Sequence, residues 1–167
     1  MNIAVYGFMG VGKTTIGAIL AEALGYDFVD MDDEIEIDTE KTIPEIFKQD
    51  GEPHFRELER SLVYSLSKRD RVVISCGGGA LADPGNAETL RGSSILVYLT
   101  ASVEEILERI GEDEHRPLLQ VDDQRGRIQK LFAGRRKMYE RYAEVTIDTT
   151  DKTPLQVVNT IREALKR

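Results

Sequence analysis

The chain has 167 residues, of which 41% are hydrophobic and 31% charged, and this composition is typical of one globular domain. Its net charge of −8 argues against nucleic acid or an anionic membrane as partner, since both require an extended basic surface. The single cysteine, Cys76, excludes an internal disulfide and a cysteine-rich metal site. We expect no membrane span, because no apolar run approaches the roughly 20 residues that a membrane helix needs. We expect no signal peptide, because a predicted core strand begins directly after Met1. The expected compartment is the cytoplasm.

The hydrophobic pattern predicts strands that alternate with helices along the whole chain. Short apolar runs predict five buried strands, at 3–6, 28–29, 72–74, 95–99 and 145–147. Helical spacing predicts helices at 13–24, 44–49, about 55–66, 84–90, 102–111, from 123 to about 142, and from 154 onward. This order indicates an α/β fold in one domain, residues 1–167, with a five-stranded parallel sheet and helices on both faces.

A glycine-rich loop follows the first predicted strand and precedes the first helix. Residues 7–14 read Gly-Phe-Met-Gly-Val-Gly-Lys-Thr and fit the phosphate-loop pattern G-x-x-x-x-G-K-[ST]. Such a loop predicts ATP binding, with Lys13 as a point charge for the phosphates and the Thr14 hydroxyl as a Mg²⁺ ligand. The alternative, an ordinary turn before a helix, does not explain the Lys-Thr pair. The predicted nucleotide-binding residues in the loop are Gly10, Val11, Gly12, Lys13, Thr14 and Thr15.

Two further motifs lie at the ends of strands, where parallel sheets bind their ligands. The second strand is expected to end in Asp30-Met31-Asp32, so that both carboxylates could point to the same side, one organising Mg²⁺ and the other meeting an acceptor hydroxyl. Alternatively, both belong to a solvated acidic run over 30–36. Gly77, Gly78 and Gly79 follow the third strand, where their N–H groups could face an anion or merely form a tight turn. No aspartate ends that strand, which leaves Thr14 and Asp30 as the predicted metal residues.

The motifs together resemble the shikimate kinase family. The resemblance rests on the phosphate loop, Asp30-Met31-Asp32, Phe55-Arg56, Gly77-Gly78-Gly79, Arg116-Pro117-Leu118-Leu119, and Arg135 with Tyr139, in family order and spacing. It implies a nucleoside-monophosphate-kinase-like fold with a substrate-binding segment near 32–62 and a mobile lid at 112–123. It also implies a monomer that uses ATP and Mg²⁺ to phosphorylate the 3-hydroxyl of shikimate.

The resemblance assigns roles to individual residues. Asp32 would hold the ring hydroxyls and accept the proton of the attacking one. The carboxylate of shikimate would be held by Arg56, Arg135 and the backbone of Gly78 and Gly79. On the nucleotide side, Arg109 would lie against the nucleotide, and the turn at 150–154 would flank the adenine. The implied catalytic residues are Lys13, Asp32 and Arg116, the last of which would reach the transferred phosphate and the substrate from the lid.

Some features depart from the family pattern or leave alternatives open. Met31 replaces a usual threonine, and Cys76 replaces a common small hydroxyl residue. The proline often found before the tyrosine is absent, so Arg136 competes with Arg135, which we prefer for its spacing to Tyr139. Phe47 and Phe55 are equally consistent with the core and with a pocket wall. The alternative functions are a kinase for another hydroxylated metabolite, such as gluconate or a nucleoside monophosphate, and a catalytically silent homologue.

Overall fold

The computed structural model of the protein describes residues 1–110 and 123–166. Its strands are β1 (Asn2–Gly7), β2 (Asp27–Asp30), β3 (Val72–Ser75), β4 (Ser94–Thr100) and β5 (Val145–Asp148). Its helices are α1 (Lys13–Leu24), α2 (Met31–Thr39), α3 (Ile43–Gln49), α4 (Glu52–Ser67), α5 (Pro84–Arg91), α6 (Val103–Ile110), α7 (Gln124–Tyr142) and α8 (Pro154–Leu165). A short 3₁₀ turn at Ala80–Ala82 precedes α5.

The five strands form one parallel sheet in the order β2-β3-β1-β4-β5. Every residue of β1 and β3 is buried, and because successive side chains point to opposite faces, both faces of the sheet must be covered. Helices cover it in two groups, α1 with α8 and α4 with α5. The predicted five-stranded parallel sheet is therefore confirmed.

Helix α2 is absent from the sequence prediction, which treated its residues as an acidic segment after a strand. Asp30 caps this helix, with its side chain accepting hydrogen bonds from the N–H groups of Asp32 and Asp33. Acidic side chains then fill the first turn, where they complement the positive end of the helix dipole. Asp32 consequently lies on a helix, and the prediction that it extends a strand end is wrong.

Two hydrophobic clusters hold the described residues together. The larger one surrounds the sheet, and a smaller one consists of Ile35, Ile46 and Phe55, which join α2, α3 and α4. The smaller cluster fixes the helices of the predicted substrate segment against one another, beside the carboxyl end of β2. Within residues 1–110 and 123–166, no helix is long and apolar enough to cross a membrane.

Candidate active site

The loop after β1 presents a helix N-terminus at the carboxyl edge of the sheet. Gly12 precedes α1 with a φ of 93°, a left-handed conformation that favours glycine, and none of the described side chains caps the helix. Its first N–H groups are therefore available to an anion. Val11 is fully buried, whereas Thr14 and Thr15 are exposed.

Lys13 folds back over this loop. Its Nζ donates hydrogen bonds to the carbonyl oxygens of Gly7 and Phe8, each at 3.0 Å. The ammonium group is thereby held above the concave side of the loop, where the phosphates of a nucleotide would bring compensating negative charge. The role of Lys13 as a charge for the phosphates stays a prediction.

Thr14 and Asp30 bring together two hard oxygen donors. The Thr14 hydroxyl donates to Oδ2 of Asp30 at 2.6 Å, while Oδ1 of Asp30 accepts from the N–H of Asp32 at 3.0 Å. In the described part of the chain, no three His, Cys, Asp or Glu side chains form a metal-binding group. Mg²⁺ at phosphoryl-transfer sites takes one or two protein ligands and completes its shell with phosphate and water. The Thr14–Asp30 pair fits that requirement.

Asp32 lies in the first turn of α2, half-buried between this pair and the glycine triplet. Burial raises the pKa of its carboxyl group, repulsion by Asp30 adds to the rise, and Lys13 acts against it. The Oδ1 atom of Asp32 lies so close to the Gly77 backbone that a Cβ there would be 2.8 Å away. Asp32 therefore faces the end of β3, next to the loop that would hold the phosphates.

The glycine triplet provides space for three functional side chains. A Cβ at Gly77 would clash with Asp32, and one at Gly79 would lie 2.7 Å from Nη1 of Arg56. A Cβ at Gly78 would lie 3.5 Å from Nη1 of Arg135, an ordinary contact distance. None of the three glycines has a positive φ, so no special turn conformation requires glycine here. Glycine is needed at positions 77 and 79 because a side chain there would clash with Asp32 or Arg56.

The backbone of the triplet has an uneven hydrogen-bond pattern. The carbonyls of Gly77 and Gly79 accept from Ala80 and Ala82, and the carbonyl of Gly78 accepts from the Tyr139 hydroxyl. Among the described residues, the N–H groups of Gly78 and Gly79 donate no hydrogen bond. We call Arg56, Arg135, Gly78 and Gly79 the carboxylate cradle, since two guanidinium groups and two open donors suit a carboxylate.

Glu59 is a site residue that the sequence does not reveal. It is 1% exposed on α4, and its Oε1 accepts from Nη1 of Arg56 at 2.9 Å. Burial raises the pKa of the Glu59 carboxyl group, although the hydrogen bond from Arg56 and its charge act to lower it. An Arg-x-x-Glu spacing on a helix usually predicts an exposed ion pair on the protein surface. Here Glu59 is buried because it packs against the Gly77 loop, and the sequence spacing does not show this.

The two candidate arginines of α7 lie on different sides of the helix. Arg135 reaches Gly78 and lies over the Phe8 ring, 5.9 Å from its centroid. Arg136 is exposed and donates from Nε to Oε1 of Glu140 at 2.7 Å. The geometry therefore favours Arg135 as the residue that faces the carboxylate cradle.

Arg109 connects the phosphate loop to the turn after β5. Its Nη1 donates to the carbonyl oxygen of Gly10 at 3.2 Å and to the Thr149 hydroxyl at 3.1 Å. Glu105, one turn earlier on α6, accepts from Nη2 at 2.6 Å. Arg109 thus lies between the two segments that the family resemblance assigns to the nucleotide.

Three other sequence predictions have different outcomes. Phe55 belongs to the smaller core cluster. Phe47 contacts Phe55, with ring centroids 5.0 Å apart, but is partly exposed. Cys76 is buried, and desolvation raises the pKa of its thiol, as expected of a structural cysteine. Arg116 and the lid residues 112–122 lie outside the described residues, while Asp123 caps α7.

A parallel sheet of this order, with a phosphate loop after β1 and an acidic residue after β2, defines a P-loop kinase of the nucleoside-monophosphate-kinase type. The sequence model of the family "Shikimate kinase" matches residues 9–166. The chain therefore belongs to the shikimate kinase family.

Individual relatives agree with this assignment. A shikimate kinase from Hahella chejuensis is 43% identical over 99% of this chain and 86% of its own length. The structure of a shikimate kinase from Acinetobacter baumannii in complex with shikimate superposes with a TM-score of 0.92 at 40% identity, covering 98% of this chain and 92% of its own. A gluconokinase from Sinorhizobium meliloti reaches a TM-score of 0.56 at 19% identity, covering 99% and 95%, and shares the fold alone.

Proposed function

We propose that this protein transfers the γ-phosphoryl group of ATP to the 3-hydroxyl of shikimate, giving shikimate 3-phosphate and ADP for aromatic amino-acid biosynthesis. The observation that carries the proposal is the carboxylate cradle beside Asp32, within one site that also contains the phosphate loop. A cyclic acid with several hydroxyl groups matches this combination of cations, open N–H donors and a carboxylate. The proposed compartment is the cytoplasm, and the proposed state is a monomer.

The carboxylate cradle holds the acid group of shikimate. Arginine suits a carboxylate because its planar fork donates two parallel hydrogen bonds. Arg56 and Arg135 approach the triplet from α4 and α7, where the N–H groups of Gly78 and Gly79 donate no hydrogen bond to the described residues. Binding the acid at this point orients the ring toward Asp32.

Asp32 holds the ring hydroxyls and orients the one that attacks. Its raised pKa makes it a better proton acceptor than an exposed aspartate, while the positive charge of Lys13 favours its ionised form. Phosphoryl transfer has a loose transition state, so the orientation of the hydroxyl contributes more than the strength of the base. The proton leaves the 3-hydroxyl as its oxygen bonds to phosphorus and the bond to ADP breaks.

The nucleotide is held by the phosphate loop, from Gly10 to Thr15, and by Arg109. The N–H groups at the start of α1 hold phosphate oxygens, and Lys13 exchanges its loop carbonyl partners for the phosphates. Thr14 and Asp30 hold Mg²⁺, which neutralises charge on the phosphates when it is bound. We also propose that Arg116, in the predicted lid at residues 112–123, reaches the transferred phosphate and the substrate. Of this segment, only Asp123 lies in the described part of the chain.

A coupled assay of ADP release tests the proposal with separate acceptors. Shikimate, gluconate and AMP are compared at equal concentrations with the wild-type enzyme, beside a sample without acceptor. The proposal predicts that shikimate raises the rate of ADP release far above the other two. A preference for gluconate or AMP would support a kinase for another metabolite, and no stimulation by any acceptor would support a silent homologue.

A further inference from the structure

Three buried tyrosines pack together under the site. Tyr6 of β1, Tyr98 of β4 and Tyr139 of α7 have ring centroids 5.5 to 5.9 Å apart, and each side chain is at most 2% exposed. The three rings contact one another, but their hydroxyl groups differ in their hydrogen-bond partners. The mechanism proposed above uses none of the three.

Each hydroxyl has a different environment. The Tyr6 hydroxyl donates to the carbonyl oxygen of Tyr139 at 2.7 Å, and the Tyr139 hydroxyl donates to the carbonyl oxygen of Gly78 at 2.5 Å. The Tyr98 hydroxyl is buried with no hydrogen bond to the described residues, although the Thr100 side chain lies nearby. Tyr139 is thus the one member of the cluster whose hydroxyl contacts the glycine triplet.

This contact fixes the peptide between Gly78 and Gly79. In a trans peptide the carbonyl of one residue and the N–H of the next point in opposite directions, and none of the described peptides is cis. With its carbonyl held by Tyr139, the peptide turns the N–H of Gly79 away from the Tyr139 hydroxyl, and Arg56 lies beside the same glycine. Glycine has wide conformational freedom, and the contact with Tyr139 favours one orientation of the peptide between these two glycines.

Helix α7 brings a second group to the same place. Arg135 precedes Tyr139 by four residues, one helical turn, and its Nη1 lies beside the Cα of Gly78. The bond from Tyr6 joins this turn of α7 to β1, the strand that leads into the phosphate loop. The hydroxyl of Tyr139 and the guanidinium of Arg135 are therefore placed against Gly78 by one rigid turn.

We propose that Tyr139 is a positioning residue of the acceptor site, whose hydroxyl orients the Gly78–Gly79 peptide so that the Gly79 N–H meets the substrate carboxylate. The inference rests on the proposed function. Tyr139 does not itself touch the substrate. Without the hydroxyl, the peptide samples other orientations and the carboxylate loses one aligned donor.

Tyr139→Phe removes this hydroxyl and keeps the ring. We expect KM for shikimate to rise about three- to tenfold, the effect of one hydrogen bond, with KM for ATP unchanged and kcat within about twofold. Tyr98→Phe is the matched control, because it makes the same change in the same buried cluster without touching Gly78. Its KM for shikimate should equal that of the wild type.

A neutral methyl ester of shikimate separates positioning from general damage. Wild type and Tyr139→Phe should have equal kcat/KM for the ester, since the ester lacks the charged group that the Gly79 N–H serves. An equal loss for the acid and the ester, or a normal KM for the acid, would overturn the inference. If the wild type does not phosphorylate shikimate, the proposed function fails first.

A measurement on the wild-type protein covers the case in which Tyr139→Phe does not fold. The amide resonance of Gly79 in ¹⁵N-labelled protein should shift on addition of shikimate, and much less on addition of the methyl ester. The inference would be overturned if shikimate shifted other amide resonances of the site but left the Gly79 resonance unchanged.

Discussion

The Nη1 atom of Arg56 lies 2.9 Å from Oε1 of Glu59, a carboxylate that is 1% exposed. The pair orients the guanidinium before any substrate arrives, and Glu52 at 3.4 Å supports it from the exposed side. Pre-orientation of a binding group lowers the entropy lost on binding. Arg56 is therefore held ready beside Gly79, which has no side chain to displace it.

Arg56→Lys is predicted to weaken shikimate binding strongly. Lysine keeps the positive charge but has no fork with which to bond Glu59 and a carboxylate at once. KM for shikimate should rise about 10- to 100-fold, the range for loss of one charge-assisted hydrogen bond, as steady-state kinetics would show. Wild type and Arg56→Lys should differ less in kcat/KM for the neutral methyl ester than for the acid. An unchanged KM for shikimate would refute the carboxylate role of Arg56.

Gly79→Ala and Gly78→Ala form a matched pair of substitutions. A Cβ at position 79 would overlap the Arg56 guanidinium, whereas one at 78 would make an ordinary contact with Arg135. Displacing Arg56 would also leave the buried Glu59 without its partner, so Gly79→Ala should lower the melting temperature more than Gly78→Ala does. Gly79→Ala should raise KM for shikimate by at least about tenfold through the displaced arginine, and more than Gly78→Ala does. Equal effects would show that the space at Gly79 is not the important property.

The sequence predicts the parallel sheet and the phosphate loop because both depend on local patterns, namely apolar runs and a fixed spacing of glycines. It misses α2, since the pattern around Asp30 and Asp32 indicates a strand end or a solvated acidic run, and neither interpretation includes a helix cap with an acidic first turn. Glu59 and Tyr139 are harder, because the position of each depends on contacts with the glycine triplet, which is far away in the chain. Their burial follows from packing of α4 and α7 against the β3 end, which no local pattern encodes.

Asp32→Asn is predicted to abolish turnover and to change how stability depends on pH. Burial and Asp30 raise the pKa of Asp32 in the folded protein above its unfolded value of about 4. The folded protein therefore loses stability as pH rises from the unfolded pKa through the folded pKa, where Asp32 must ionise. Asparagine has no such cost. The melting temperature of the variant relative to wild type should therefore increase between pH 4 and pH 7.

Equilibrium binding completes the test of Asp32. Nucleotide affinity should be retained in Asp32→Asn while ADP release with shikimate is lost, because the amide cannot accept the hydroxyl proton. A parallel loss of nucleotide binding would place Asp32 on the metal or in the fold. A constant difference in melting temperature across the pH range would contradict the assigned pKa.

Lys13→Ala is predicted to leave the fold intact and nearly stop phosphoryl transfer. Lys13 compensates charge that develops on the phosphate oxygens during transfer, so its loss raises the barrier directly. We expect kcat to fall to well under about a tenth of the wild-type value, a barrier increase above about 1.4 kcal/mol. Lys166→Ala, at the exposed end of α8, is the control and should turn over normally. Retention of more than about a tenth of kcat in Lys13→Ala would contradict the assigned role.

The position of the transferred phosphate tests the account most directly. The wild-type enzyme is incubated with ATP, Mg²⁺ and shikimate, and the products are measured by ³¹P and ¹H NMR together with the ADP released. The account predicts one phosphate ester, at the 3-hydroxyl of shikimate, and one ADP for each ester formed. ADP formed without a phosphorylated shikimate, or a phosphate on another hydroxyl, would contradict it.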